Sequence, residues 1–408
     1  MWHVSPTGRL DRLTVFKHVG RGYVPAGEMT FEGGEFLRPG AFQYDQSYLE
    51  TPGATPLDPL GLPIVSQVFQ GVPEAPLALL DTGPEGWGRS VLAMAFEGSV
   101  LGAAEFLAAG TTNRTGDLAF GASAEAGPGH WRPDGSQSLG RSNQCDDLEA
   151  FMLAAIAADE SDATADQIAM LVRACADIGG ARPKVRWRDR EGGWIAKFPT
   201  WGDKFDDPRI EAVCLDVAEA ARLPIPERRL MTFSGKTVLL VRRFDRSEDG
   251  KPYAYLSMGT LLNEPASSYG TTRTYRDMAA ASRAIGVEAP EEQMYRRLLV
   301  NASLHNTDDH LRNHAVINTG EGWELSPVFD VVPNLGRKRH VCAPAPGFGD
   351  ECNPRTAFAS YTAFGLPLER AEAMLDDVMS AMGQLPEFFD RREVSQADRV
   401  LLRGLKGQ

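Results

Sequence analysis

Residues 305–313, reading HNTDDHLRN, carry two aspartates, two histidines and two asparagines between apolar neighbours. A loop this polar between apolar runs is usually exposed and often functional. Asp308 and Asn313 stand in the spacing D-x-x-x-x-N, and Asp330 follows seventeen residues after Asn313, behind a short apolar run and a turn at Thr319-Gly320. Two carboxylates and an amide in this order suit phosphoryl transfer from ATP. One carboxylate accepts the proton of the attacking hydroxyl. The amide and the second carboxylate offer oxygen ligands to magnesium, a hard cation. Protein kinases use the same spacing in their catalytic loop, with a metal-binding Asp at a later strand end. The competing reading is an Asx-rich loop whose side chains cap their own backbone.

Such a loop needs rigid elements to present it. Apolar spacing predicts helices over residues 274–285, 291–304 and 367–382, the second leading directly into the loop. Residues 206–223 read as the clearest helix. Asp206 or Asp207 can cap it, Pro208 fits its first turn, and Ile210, Val213, Cys214, Val217 and Ala220 share a face. Glu211, near its start, either complements the helix dipole or forms the ion pair that steadies a nucleotide-contacting lysine. That lysine would be Lys197. It lies in the second of two strands, 185–187 and 194–198, that follow the glycine loop Asp177-Ile-Gly-Gly-Ala-Arg-Pro-Lys184. Backbone N–H groups of a glycine loop can approach phosphates, and a lysine can neutralise them. The loop enters a strand and lacks G-K-[ST], so it is not a Walker A motif. The plainer alternative is a hairpin with an edge-strand lysine. Residues 229–233 and 237–241 pair across Ser234-Gly235, and Arg242-Arg243-Phe244 end the second strand, where a kinase-like fold has its adenine-binding hinge.

With 408 residues the chain has room for two or three domains. It is 43% apolar and 24% charged, as ordinary globular chains are. A net charge of −13 argues against direct nucleic-acid binding as the main activity. Cys145, Cys175, Cys214, Cys342 and Cys352 contain no C-x-x-C pair and read as free thiols in a reducing compartment. The first residues lack a signal-peptide core and no run of eighteen apolar residues occurs, so a cytoplasmic location without a membrane span is expected. The first hundred residues, rich in Gly, Pro and aromatics, read as short strands (13–16, 22–25, part of 40–48), with a helix at 90–96 and nothing catalytic. Residues 117–120 add a strand, and 148–159 and 164–176 add helices.

GGARPK, WIAKFP, VRRFDR, NTDDHLRNH and LSPVFD, in this order and spacing, resemble the HipA-type serine/threonine kinases, the toxin halves of bacterial HipA–HipB toxin–antitoxin modules. PAGEMTF, FQYDQSYL, PLDP and GPEGWGR extend the resemblance toward the N-terminus, so it covers nearly the whole chain. It implies an α+β, two-lobed fold like that of protein and lipid kinases, with an N-terminal β-rich accessory domain over residues 1–105. An ATP-binding small lobe over 106–262 and a mainly helical large lobe over 263–408 would follow. By the same resemblance Asp308 is the catalytic base, Asn313 and Asp330 are the magnesium ligands, and Lys197 contacts phosphate. Gly179, Gly180, Ala181, Arg182, Pro183 and Lys184 form the nucleotide loop, Arg242, Arg243 and Phe244 the hinge, and His310 a structural member of the catalytic loop.

The resemblance further implies ATP and Mg2+ as cofactors and a protein substrate, in this family an aminoacyl-tRNA synthetase. It also implies a separately encoded HipB-like helix-turn-helix antitoxin, through which alone DNA would be contacted. One position departs from the pattern. Many relatives carry, ahead of the glycine loop, a serine whose autophosphorylation ejects the loop. Asp177 stands there, and no Ser or Thr lies between Asp166 and Lys197. An aspartate forms no stable phosphate ester and has a permanent charge of the same sign. The protein is therefore expected either to lack that switch or to be held partly off. A catalytically silent, kinase-shaped co-repressor and a small-molecule kinase are the rival readings.

Overall fold

The computed structural model describes residues 1–33, 38–133, 147–265 and 272–403. Helices and strands combine in an α+β fold that divides into two compact units: residues 1–201 with 245–256, and residues 202–244 with 257–408.

The first unit begins with an antiparallel sheet. Leu10–Val19 pairs with Gly22–Phe31, Thr14 facing Glu28 and Lys17 facing Val24. On its other side lies Leu118–Gly121, Thr14 facing Gly121. Gly40–Tyr44 and Val68–Gln70 extend the sheet. Alternation supplies the apolar floor, in which Leu13, Val15, Met29, Phe42 and Phe120 are fully buried. The two long strands outrun the expected 13–16 and 22–25. Lys17 does not end its strand, because its Nζ lies 2.8 Å from Asp117 Oδ2 in a buried pair. The helix Ala103–Ala109 has no clear signal in the sequence. It is held by Glu105, whose carboxylate takes Arg9 Nε at 2.9 Å and the N–H groups of Leu10 and Gly102. Helix Gly86–Ala95 precedes it, and helices Leu148–Asp159 and Ala165–Cys175 follow, the last started by a capping box between Thr164 and Gln167. The unit then forms the hairpin Lys184–Arg188 and Gly193–Lys197.

The second unit opens with the helix Asp207–Ala220. The Asp206 side chain accepts from Arg209 N, as the sequence led one to expect of a cap. Ala212 packs on Leu239 and Val241 of the hairpin Arg228–Phe233 and Lys236–Arg242. That hairpin turns at Ser234 and Gly235, both at positive φ (49° and 76°), the backbone of a type I′ turn. The centre of the unit is the helix Pro290–Ser303, on which Met294, Tyr295, Leu298, Leu299 and Ala302 are fully buried. Even Arg296 is buried there, donating to Ala221 O at 3.0 Å and to Asp377 at 2.9 Å. Tyr275–Ala284 packs on this helix, as does Leu368–Gly383. The short pair Ala315–Asn318 and Trp323–Leu325 follows the polar loop, Val316 facing Leu325. Cys175, Cys214, Cys342 and Cys352 are buried free thiols, and Cys145 lies outside the described residues. No described helix is long and apolar enough to cross a membrane.

Candidate functional site

The polar loop leaves the buried helix Pro290–Ser303 through a Schellman turn. Asn306 N donates to Asn301 O at 2.8 Å and His305 N to Ala302 O at 3.4 Å. The left-handed position of that turn, usually glycine, is His305 at φ 55°. Its ring stays put because Nε2 lies 2.8 Å from Arg337 O. Beyond the turn a buried polar network takes over. Asn306 Nδ2 donates to Asn301 Oδ1 at 3.1 Å, Asn301 Nδ2 to the Tyr275 hydroxyl at 2.7 Å, and that hydroxyl to Asp309 Oδ2 at 2.8 Å. Asp309 also accepts from Val341 N at 3.0 Å and lies 2.7 Å from His340 Nδ1. Burial by itself would raise the Asp309 carboxyl, but His340 and Tyr275 outweigh it and hold it below the usual carboxylate range. His314, fully buried against Tyr275 with ring centroids 5.2 Å apart, is pushed down to about 3 by burial, with Arg297 adding to the effect, and so is a neutral imidazole. Asn301, Asn306, Asp309 and His314 line a small cavity.

The two adjacent aspartates thus part company. Asp309 is fully buried and anchors the loop, whereas Asp308 is solvent-accessible. Asp308 is steered by its backbone. Its N–H donates to Asn306 Oδ1 at 3.3 Å and its carbonyl accepts from Asn313 Nδ2 at 2.7 Å. The Asx-capping alternative is therefore partly realised, by Asn306 and by Asn313, without using the Asp308 side chain. The Asp308 carboxyl is raised, first by desolvation and then by the negative charges of Asp330 and Asp309, against the opposing influence of His310 and Arg337. Asn313 ends the short 3-10 turn Leu311–Asn313, and its amide nitrogen is spent on Asp308, leaving the amide oxygen for another partner. Asp330 has φ 59°, a left-handed conformation uncommon for any residue but Gly and typical of functional strain. Its N–H donates to Glu211 Oε1 at 3.2 Å. Glu211 is buried one turn beyond the helix start, so Asp207 is the first-turn acid and the dipole role falls to it. Phe244, from the expected hinge, rests its ring 5.5 Å from that of Phe329, the residue before Asp330; Arg243 is buried and Arg242 half-buried.

In the first unit the glycine loop is pinned at its start. Asp177 is buried, ion-paired with Arg186, and accepts from Thr111 N at 2.9 Å and Thr111 Oγ1 at 3.1 Å, while Arg186 also donates to Asp177 O at 2.7 Å. The loop backbone then docks on GPEGWGR. Glu85 N donates to Ile178 O at 3.2 Å and Trp87 N to Gly180 O at 3.0 Å. Gly86 has to be glycine: at φ 38° a Cβ there would stand 2.7 Å from Gly180 O and 2.8 Å from Ala181 Cα. Gly179 and Arg182 are half-buried, Ala181 is exposed and Pro183 is buried. Lys184 and Lys197 are direct cross-strand partners in the hairpin, with Lys184 buried and Lys197 half-buried.

The chain matches the family model described as the HipA-like C-terminal domain over residues 176–385, somewhat more than half its length. This protein belongs to the HipA family. Its fold is similar to the HipA chain of a Shewanella oneidensis MR-1 toxin–antitoxin complex of HipA, HipB and operator DNA. That likeness has a TM-score of 0.65 at 15% identity and covers 97% of this chain and 95% of that one. A Helicobacter pylori proinflammatory kinase, CtkA, aligns at a TM-score of 0.43 and 15% identity over 56% of this chain and 88% of its own. No curated protein matches the sequence.

Within this HipA-family chain, no group of three or more His, Cys, Asp or Glu side chains able to cage a metal ion occurs among the described residues. Nucleotide-bound magnesium needs no such cage. It keeps waters and phosphate oxygens and takes one or two protein oxygens, which Asp330 and the Asn313 amide can supply. Several members of the site carried no readable signal. Tyr275, Asn301, Asp309 and His340 look like ordinary polar residues in sequence, and only their mutual burial reveals the network. The GPEGWGR buttress did carry one, since three glycines in seven residues mark close backbone approach.

Proposed function

We propose that this protein is an ATP- and magnesium-dependent serine/threonine protein kinase of HipA type, the toxin of a toxin–antitoxin pair. The observation that carries the reading is the divergence of the two neighbouring aspartates. Asp309 is locked into the core, while Asp308 is accessible, more basic than an ordinary carboxylate, and close enough to Asp330 to feel its charge. A base aimed outward beside a second carboxylate is what hydroxyl activation next to a metal-bound phosphate needs.

In the proposed reaction the acceptor hydroxyl oxygen bonds to the γ-phosphorus, its proton passes to Asp308, and the bond to the β–γ bridging oxygen breaks as ADP leaves. Magnesium, when bound, neutralises phosphate charge. Asn313 and Asp330 would hold it, and Lys197, Lys184 and residues 179–183 would hold the phosphates. Arg242, Arg243 and Phe244 would form the hinge against adenine. The division into an accessory domain (1–105), a nucleotide lobe (106–262) and a helical lobe (263–408) remains part of this proposal, as does a cytoplasmic location. The likeness to a HipA solved with HipB and operator DNA supports a HipB-like helix-turn-helix antitoxin as partner. An aminoacyl-tRNA synthetase is the substrate that the family resemblance suggests. At Asp177 the buried charge is met by Arg186 and Thr111, which favours a loop tied inward and without a phosphorylation switch. Mass spectrometry after incubation with ATP is expected to find no phosphate on residues 167–196.

Thermal unfolding with and without ATP and magnesium tests the core of the reading. At a hundredfold excess over Kd, a ligand that binds only the native state adds about 2.7 kcal/mol. The shift is expected in the wild type and should shrink in Asp330→Ala. Asp308→Asn should keep the shift but lose about 10²–10⁴-fold in transfer of labelled phosphate to protein. No shift in any variant would favour the rival, a kinase-shaped co-repressor that binds its antitoxin without catalysis.

A further inference from the structure

Beyond Asp330 the chain exposes an unbroken run of cations, Arg337-Lys338-Arg339, on a protein whose net charge is −13. These residues are not a loose surface run. The segment is clamped at both ends to the two neighbours of Asp308's turn. At the front, Asn334 N donates to His305 O at 3.0 Å and Arg337 O lies 2.8 Å from His305 Nε2. At the back, His340 Nδ1 lies 2.7 Å from Asp309 Oδ2 and Val341 N donates to Asp309 Oδ1 at 3.0 Å. Between them Cys352 N donates to Lys338 O at 3.0 Å, and Arg339 bridges to Glu351 as an isolated β-pair. His305 and Asp309 bracket Asp308, so the backbone that fixes Asp308 also fixes the three cations. Asp350 answers one of them, lying 2.9 Å from Arg339, whose side chain stays mostly exposed. Arg337 and Lys338 form no ion pair among the described residues. Leu335, exposed just ahead of them, adds an apolar contact.

We propose that the segment from Leu335 to Arg339 is the docking strip for the protein substrate, and that it selects Ser or Thr acceptors flanked by acidic residues. The inference rests on the kinase reading and deepens it. The physical reason lies in the charge balance. At −13 the chain repels acidic partners at long range, and cations fixed beside Asp308 reverse that repulsion at the one place where an acceptor must sit. Nucleic acid is the less fitting partner, since two unpaired cations on an acidic chain release few counterions. Each exposed charge pair is worth a factor of roughly 1.5–5 in affinity, and reversing two cations removes two attractions and adds two repulsions, so acidic-peptide affinity should change at least about fivefold at low salt.

The test uses the full-length protein and three peptides sharing one serine, with acidic, neutral or basic flanks. Binding is read by fluorescence anisotropy, which needs no catalysis, and transfer by labelled ATP. The expected result is tightest binding and lowest KM for the acidic peptide, weakened by salt. The double variant R337E/K338E should lose that preference at an unchanged KM for ATP and an unchanged unfolding temperature. Equal binding of all three peptides by the wild type would overturn the strip. So would a rise in KM for ATP in the variant, which would assign these cations to the nucleotide, or a stoichiometric RNA oligonucleotide displacing the acidic peptide. Charge-dependent binding without any transfer would sink the kinase reading alone and leave the strip standing.

Discussion

The glycine loop at 177–184 and the polar loop at 305–313 were both singled out for phosphate chemistry, yet they are held by opposite means. The polar loop hangs from side chains: Tyr275, Asn301, Asn306, Asp309 and His340 form one buried hydrogen-bonded set beneath it. The glycine loop is held by backbone and by the Asp177 carboxylate, its carbonyls taking N–H groups of Glu85 and Trp87 while Asp177 meets Arg186 and Thr111. A buried polar network fixes a single geometry, at high cost if a member is lost. Backbone docking against glycines leaves loop side chains open and depends on close approach rather than on particular polar groups. In the proposed reading a base must point one way, whereas a phosphate cradle needs bare N–H groups, and the two modes of support are compatible with those proposed roles.

The sharpest way to break the contrast is Asp309→Ala. It strands the Tyr275 hydroxyl and His340 in the core and should cost about 3–5 kcal/mol in denaturant unfolding. The acid side gives a second readout. Because the folded Asp309 carboxyl lies below its unfolded value, its stabilisation is present above the ordinary carboxylate range and is lost as pH falls through the folded value. Asp309→Asn should therefore flatten the loss of stability below about pH 4. The counterpart, Asp177→Ala, should cost less, about 1–3 kcal/mol, because Arg186 keeps its bond to the residue 177 carbonyl.

Gly86→Ala tests the other half. A methyl group 2.7 Å from Gly180 O, on a backbone at φ 38°, should strain the first unit by about 1–3 kcal/mol. Hydrogen exchange should quicken at residues 177–184 and stay unchanged at 305–313, and the ATP-induced thermal shift should diminish. If both loops loosened together, the distinction drawn between them would be wrong.

How far the sequence could be read follows the same division. Helices with one apolar face were legible at their starts to within a residue, with Asp206 before Asp207–Ala220, Thr164 before Ala165–Cys175 and Thr274 before Tyr275–Ala284, although the first ends three residues short of the expected 223. The Ser234-Gly235 turn was legible because only a primed turn wants both residues at positive φ. Asp308, Asn313 and Asp330 stood out by spacing. What supports them did not, because burial of a polar residue is a tertiary property: nothing local distinguishes Asp309, wholly inside, from Asp308, outside. Long-range pairs hid two further features. Glu105 meets Arg9 across the first unit, and Lys184 faces Lys197 only once the hairpin register is known.

The smallest effect on stability is expected where the two terms oppose each other, at His305. Replacing it by glycine relieves a left-handed residue, worth about 1–2 kcal/mol, and deletes the Nε2 contact to Arg337 O, worth about 1 kcal/mol, while freeing the chain when unfolded costs up to about 1 kcal/mol. Net stability should change by no more than about 1 kcal/mol in either direction. Function should not share that indifference. With the imidazole gone, residues 337–339 lose the side-chain half of their front anchor to the Asp308 loop and keep only the backbone bond from Asn334 N to His305 O, so KM for an acidic acceptor should rise while KM for ATP holds. A His305→Gly protein with unaltered acceptor KM would mean that the backbone bond from Asn334 and the contacts of Asp309 with His340 and Val341 carry the coupling, and that the left-handed histidine serves only to turn the chain.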